Sequence, residues 1–353
     1  MHPSWHSFLN EQTATLDETG VIDFGDPSTE LAACDNATVL CDLSHRGLLR
    51  VSGEDAAEFL QGQLTNDVRQ LEEERSHLSA YCDHKGRILA LFRLWGRDDV
   101  FHLTLPGELL EETVKRLSMF LLRSKATIED LSDEVVRFGL AGPDAQSLLK
   151  PLYPSLPAAE NRYVEHAGVR VTRLPGEVDR YELHLPLKEA EAVWSALSPN
   201  AQPVGRSGWR LFDIRSVSPD VFSTTRELFT PQMLNLEVLD GVSFTKGCYT
   251  GQEVVARTQF LGKIKRRTYA ARFPCDEVPV PGTELVGTEA AAGQALGRIV
   301  MACPSPNGGC EALAMTQISA RIEDTLHVSS SEGPVMEFID PPYSLEQIRP
   351  GSQ

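Results

Sequence analysis

The sequence has no C-x-x-C pair, and its seven cysteines (Cys34, Cys41, Cys82, Cys248, Cys275, Cys303 and Cys310) are an odd number. A disulfide framework or a structural zinc site is therefore not expected. An iron–sulfur centre held by this chain alone lacks the clustered thiolates it would need. Cations are scarce too: 33 Lys and Arg against 50 Asp and Glu give a net charge of −17. That balance disfavours a broad surface for nucleic acid or anionic membrane, since both need their phosphates neutralised. No apolar run is long enough to span a bilayer. The first 45 residues contain no Lys or Arg. Neither the positive start of a secretory signal nor the Arg-rich face of a mitochondrial presequence is expected there, and a cytoplasmic location is the default. What remains is a globular composition, 41% hydrophobic with mean hydropathy −0.21. Its 353 residues suffice for two or three domains with cores of their own.

Taken in order, residues 1–37 are acidic and weakly periodic and read as a loose arm ending in a short helix. Val39–Leu43 and Leu48–Val51 read as strands, and a helix carrying Phe59, Leu60 and Leu64 follows. His77–Asp83 and Arg87–Trp95 form a hairpin about Asp83-His84-Lys85-Gly86, and Glu108–Leu122 is amphipathic. Cys82 and His84, which flank that turn, show no metal spacing and read as structural. Prolines 151, 154 and 157 mark a boundary. Beyond it lie strands near Val169–Leu174 and Tyr181–Leu185, a helix at Leu187–Leu197 and a short helix at Trp209–Arg215. After Gly262, short apolar or alternating segments separated by Gly and Pro predict a separate all-β module. The expected division is thus an arm (1–37), an α+β domain (38–150), a second α+β region (151–260) and a β domain (261–353).

The chain is organised around Thr245-Lys246-Gly247-Cys248-Tyr249-Thr250-Gly251-Gln252-Glu253, which sets a lone thiol between two glycines with a cation two positions before it. Thr250 as N-cap and Glu253 three residues on make a capping box, which predicts a helix just after the thiol. Free N–H groups at that helix start, together with Lys246, would favour thiolate over thiol. Gly247 and Gly251 permit backbone conformations and approaches closed to other residues. Two readings are open from the spacing: a reactive or ligand-binding loop, or a buried structural cysteine beside an ordinary helix cap. The only dense basic run, Arg257, Lys263, Lys265, Arg266 and Arg267, is either a solvated face or an anion site near the motif.

Lys246-Gly247-Cys248-Tyr249-Thr250-Gly251-Gln252-Glu253 resembles the signature of the YgfZ family, folate-binding proteins related to the T-protein (aminomethyltransferase) of glycine cleavage. The resemblance extends over Phe229–Gln232, Asn235-Leu236 and Gly241–Phe244, the earlier stretch Phe59–Val68, and Pro341–Glu346. It covers nearly the whole chain after about residue 38. It implies an α+β, three-domain T-protein-like ring around a central folate channel, closed by a C-terminal all-β barrel. It further implies a cytoplasmic, tetrahydrofolate-binding accessory protein for the assembly or repair of iron–sulfur enzymes. Such a protein affects tRNA modification through those enzymes, without direct binding to nucleic acid or membrane. Cys248 would be the working residue and Lys246 would tune it, the role of the thiol being open among cluster ligand, one-carbon acceptor and redox partner.

The same comparison places folate contacts on Arg46 and Trp209; in the basic run, Arg257, Lys263 and Arg266 are the candidate anion site, for which folate's glutamate tail is one ligand. Trp209 alone would equally read as a core residue beside Phe212. Two departures matter. The aspartate essential for aminomethyl transfer falls on Ala90, which cannot handle a proton. Where relatives have Glu-Ala-Gly, this chain has Arg215-Ser216-Val217, and a cation cannot accept the pterin's N–H donors. The alternatives are a true folate-dependent one-carbon transferase, against which Ala90 argues, and a non-catalytic interaction protein that has lost folate.

Overall fold

A computed structural model of the chain describes residues 1–97, 99–122, 124–288 and 295–346. Residues 289–294 and 347–353 of the expected β domain lie outside the described residues. The chain divides into two compact units, neither contiguous: residues 1–54, 71–76 and 94–213 in the first, and 55–70, 77–93 and 214–353 in the second. The prolines expected to mark a boundary fall inside the first unit.

In the first unit a six-stranded sheet runs in the order Tyr163–His166, Val169–Arg173, Arg180–Pro186, Val135–Ala141, Val39–Asp42, Gln202–Val204. Its pairs are antiparallel except the last, which is parallel. The helix Leu187–Leu197 presents Ala190, Trp194 and Leu197 to the core shared with Phe138 and Leu140. Residues 1–37 are not a loose arm. They form the helix Pro3–Glu11, a small hairpin (Thr15–Asp17 with Gly20–Asp23) and the helix Pro27–Asn36. Trp5 is 1% exposed and stacks against Phe138 and edge-on to Trp194, and its indole N–H donates to Asp42 Oδ1 at 2.8 Å. Leu9 and Val21 are fully buried. Each such side chain contributes about 1.5–3 kcal/mol, so one helical pair and a lone hairpin valine dock a segment whose periodicity is weak. A second sheet of this unit pairs Arg46–Ser52 with Val100–Pro106 and with Thr127–Asp130.

In the second unit the strand His77–Cys82 turns through Asp83–Arg87 into the strand Ile88–Arg97, which then carries the chain into the first unit. The turn is held by its own aspartate: Asp83 Oδ1 accepts from the N–H groups of Lys85 and Arg87, both at 2.8 Å. The C-terminal part is a six-stranded antiparallel sheet in the order Leu326–Val328, Glu284–Gly287, Ala295–Pro304, Cys310–Gln317, Arg266–Phe273, Glu337–Ile339. Irregularities at Leu285/Val286 and Ile299/Met301 help curl it into a half-barrel, and Phe273, Leu285, Ile299 and Ala312 fill its inside. One disulfide, Cys275–Cys310, overturns the expectation drawn from cysteine count and spacing. Its cause is register: Phe273 pairs with Cys310, so Cys275, two residues further, arrives with its Cα 5.8 Å from that of Cys310.

Candidate functional site: the loop around Cys248

Within the second unit, separate stretches of sequence close around the motif. Lys246, only 8% exposed, donates its Nζ to the carbonyls of Leu64 and Asn66, each at 2.7 Å. Burial pulls this ammonium down to about 8 against the opposing pull of Asp67. The segment that receives it is itself pinned. Thr65 Oγ1 donates to the Gly241 carbonyl at 2.7 Å and accepts from the Ala80 N–H. Asn66 Nδ2 donates to the carbonyls of Leu78 and Asp240. Lys246 therefore fastens the loop to residues 64–66, and Tyr249, 7% exposed, lies 5.3 Å from its Nζ.

The helix Gln252–Phe260 does follow the thiol, but without the expected capping box. Its N-cap is Gly251, at φ +84°, and no side chain caps it. The reason is steric. A Cβ at Gly251 would stand 2.4 Å from the Asp83 carbonyl and 2.9 Å from Gly86 Cα. Gly86 (φ +70°) in turn packs on Gly251 and Val254, so glycine meets glycine where the hairpin turn touches the helix start. Thr250 and Glu253 are left outside this contact, and Glu253 is exposed. A Cβ at Gly247 would meet nothing within 4 Å, and the backbone there is not left-handed, so the need foreseen for glycine at that position is absent. Gln232 Nε2 ties the upstream stretch to this helix by donating to the Val255 carbonyl at 2.8 Å.

Cys248 is exposed, whereas the other free cysteines, Cys34, Cys41, Cys82 and Cys303, are buried. The arrangement thus offers one accessible sulfur on a loop braced from three sides. Nearby in the same unit, Lys263 and Arg266 line a cavity of about 380 Å³ together with Lys265, while Arg257 is not in its wall.

The family of the GCVT N-terminal domain matches residues 23–211. A protein of Colwellia psychrerythraea called tRNA-modifying protein YgfZ is 35% identical over 66% of this chain and 71% of its own. One of an Enterobacter species with the same name is 33% identical over 73% and 79%. The chain belongs to the YgfZ family. Its fold is that of aminomethyltransferase T: the glycine cleavage protein of Bartonella henselae superposes with a TM-score of 0.75 over 96% of both chains, at 16% identity.

For a YgfZ-family chain, the residues outside the motif are placed as follows. Arg46 and Trp209 belong to the first unit and the cysteine loop to the second. Trp209 is 3% exposed. Gly139 lies against its ring, where a Cβ would come within 2.2 Å, and the Arg180 guanidinium stands 4.4 Å from the ring centroid. Arg180 also forms an ion pair with Asp213. A pterin stacked on this indole therefore does not fit as the residues are arranged. Arg46 is partly exposed, and its carbonyl accepts from Arg137 Nη2 at 2.8 Å. Arg215 grips Glu311 with Nε and Nη2, at 3.1 and 2.9 Å. Ala90 is fully buried on the strand Ile88–Arg97.

Sequence reasoning missed a polar framework elsewhere in the second unit. Asn235, at φ +60°, donates Nδ2 to the Thr268 carbonyl at 2.7 Å and to the Tyr343 hydroxyl at 3.2 Å, and Tyr343 donates to the Val217 carbonyl. Glu237 and Arg267 form an ion pair with both side chains almost wholly buried. An asparagine before a leucine-rich turn was the only local signal.

Proposed function

We propose that this protein is an accessory factor for the assembly or repair of iron–sulfur enzymes, and affects tRNA modification through them, with Cys248 as its working residue. The observation that carries the reading is the exposure of Cys248 on a braced loop while the other free thiols are buried. A structural cysteine would be expected inside, among apolar neighbours. Lys246 would serve the thiol through loop geometry, since its ammonium is engaged by two carbonyls. The names of the relatives, tRNA-modifying protein YgfZ, support the tRNA end of the proposal. Aminomethyl transfer is disfavoured because Ala90 supplies no acid or base.

The test is complementation of a deletion strain with Cys248→Ala. Loss of iron–sulfur enzyme activity and of the dependent tRNA modification is expected. Full restoration would overturn the role of the thiol.

Tetrahydrofolate is proposed as cofactor on family membership, with Arg46 as its contact. A second reading, an interaction protein without folate, draws on the burial of Trp209 and the Arg215–Glu311 pair. Calorimetric titration of tetrahydrofolate into the whole protein separates the two: saturable heat supports the cofactor, and none supports the interaction protein.

A further inference from the structure

The cavity of about 380 Å³ in the second unit is not used by the thiol. Its wall holds Lys263, Lys265 and Arg266, with Thr258 beside them and Met233 and Ile264 as apolar lining. Among the described residues, none of these three cations forms an ion pair with a carboxylate within 4.0 Å. Lys263 and Lys265 are exposed and Arg266 is half-buried, while the backbone that carries them is fixed. Ile264, 7% exposed, is buried between the two lysines. The Lys265 carbonyl accepts from the Ile318 N–H at 2.9 Å, and Arg266 sits in sheet register with Gln317. Backbone hydrogen bonds thus fix the stretch of chain from which three like charges line one concavity, where a bound anion would relieve their repulsion. Thr258 donates its hydroxyl to the Val254 carbonyl, which leaves its oxygen only as an acceptor.

We infer that this cavity binds a small molecule bearing two or more oxyanion groups on a carbon or phosphoryl skeleton. The three cations would neutralise the anionic groups, Arg266 offering a planar fork and the lysines point charges. Met233 and Ile264 would cover the skeleton, and the volume lies in the range of small-molecule sites. The inference does not rest on the role of Cys248. It places the anion site on Lys263, Lys265 and Arg266 and leaves Arg257 out.

The test is calorimetric titration of the full chain with pyrophosphate and, separately, with γ-linked triglutamate, at low and high salt. At least one probe is expected to bind, more weakly as salt rises. Which probe binds tells a phosphoryl ligand from an acidic peptide-like one. Lys263→Gln and Lys265→Gln are each expected to weaken it about tenfold or more, as removal of a charged hydrogen bond does. Arg257→Gln should leave affinity unchanged, and the thermal midpoint of each variant reports whether it folds. Silence of the wild type with both probes would overturn the inference. So would unchanged affinity in a Lys263→Gln/Lys265→Gln double variant. Neither result touches the complementation test of Cys248.

Discussion

Lys246→Met is the substitution that separates packing from chemistry in the motif. The native side chain brings its ammonium to two carbonyls at 2.7 Å, and burial lowers it from 10.5 to about 8. Methionine keeps much of the stem and removes every donor. Two carbonyls left without a donor cost together about 2–6 kcal/mol. Relief of the ammonium's desolvation returns about 3 kcal/mol, from the roughly 2.5-unit depression at 1.36 kcal/mol per unit. The expected net loss near pH 7 is therefore about 1 kcal/mol. The pH dependence is more decisive. The folded value lies below the unfolded one, so between about pH 8 and 10.5 the unfolded chain holds more protons. Wild-type stability from this group consequently rises with pH across that window, by up to about 3 kcal/mol. The gap between wild type and Lys246→Met should widen from about 1 kcal/mol at pH 7 to about 3–4 kcal/mol near pH 10. Urea unfolding of both proteins at pH 7, 8, 9 and 10 measures it, because titrations common to the two cancel in the difference. A gap that stays constant or narrows with pH would refute the burial argument.

The two motif glycines should behave oppositely. Gly251→Ala combines a left-handed backbone with a Cβ 2.4 Å from the Asp83 carbonyl, and should destabilise by about 2–4 kcal/mol, whereas Gly247→Ala should stay within about 1 kcal/mol; thermal midpoints of the two variants decide this. Acid should loosen the first unit. His184 and His102 are held down to about 4 and about 3, by burial first and then by the positive charge of Arg170, although the Glu182 carboxylate 2.6 Å from His184 Nε2 pulls the other way. Depressed histidines favour the unfolded chain once pH falls below its value of about 6.5, so stability is lost between about pH 6.5 and 4. His184→Gln should flatten that loss by about 3 kcal/mol, read from urea midpoints at pH 7 and pH 4.5, and an unchanged slope would count against the buried histidine.

Periodic segments were legible from the residues, and segments fixed by a few long-range anchors were not. The helix Leu187–Leu197 and the strands Val169–Arg173 and Arg180–Pro186 lie where alternation and amphipathicity put them. Residues 1–37 did not show their structure because Trp5 and Leu9 make a single i, i+4 pair in a short helix and Val21 stands alone on a hairpin, yet each reaches the core. The disulfide escaped for a related reason: cysteine spacing carries no information on strand register, and the pairing of Phe273 with Cys310 is a property of the sheet. At the site, the motif located the helix that follows the thiol but misassigned its cap. Thr250 and Glu253 have the types and spacing of a capping box, and the close packing of Gly251 on the hairpin turn sets the helix start instead. Local propensity lost to a tertiary contact.

That outcome bears on what the motif is for. Lys246 fastens residues 64–66, Gly251 admits the hairpin turn, and Tyr249 is buried near the ammonium. A buried cation is a poor choice if stability alone is at stake, since a well-packed apolar residue often serves as well or better. What a cation with two fixed acceptors adds is a definite position for the backbone on either side of it. Two residues beyond Lys246 stands the one exposed thiol. A loop braced by a lysine, a tyrosine and a pair of touching glycines fixes the backbone that carries that sulfur. Loss of function in Lys246→Met with Cys248 intact would therefore be expected to follow loss of loop order, and to be larger than the small change in stability at neutral pH.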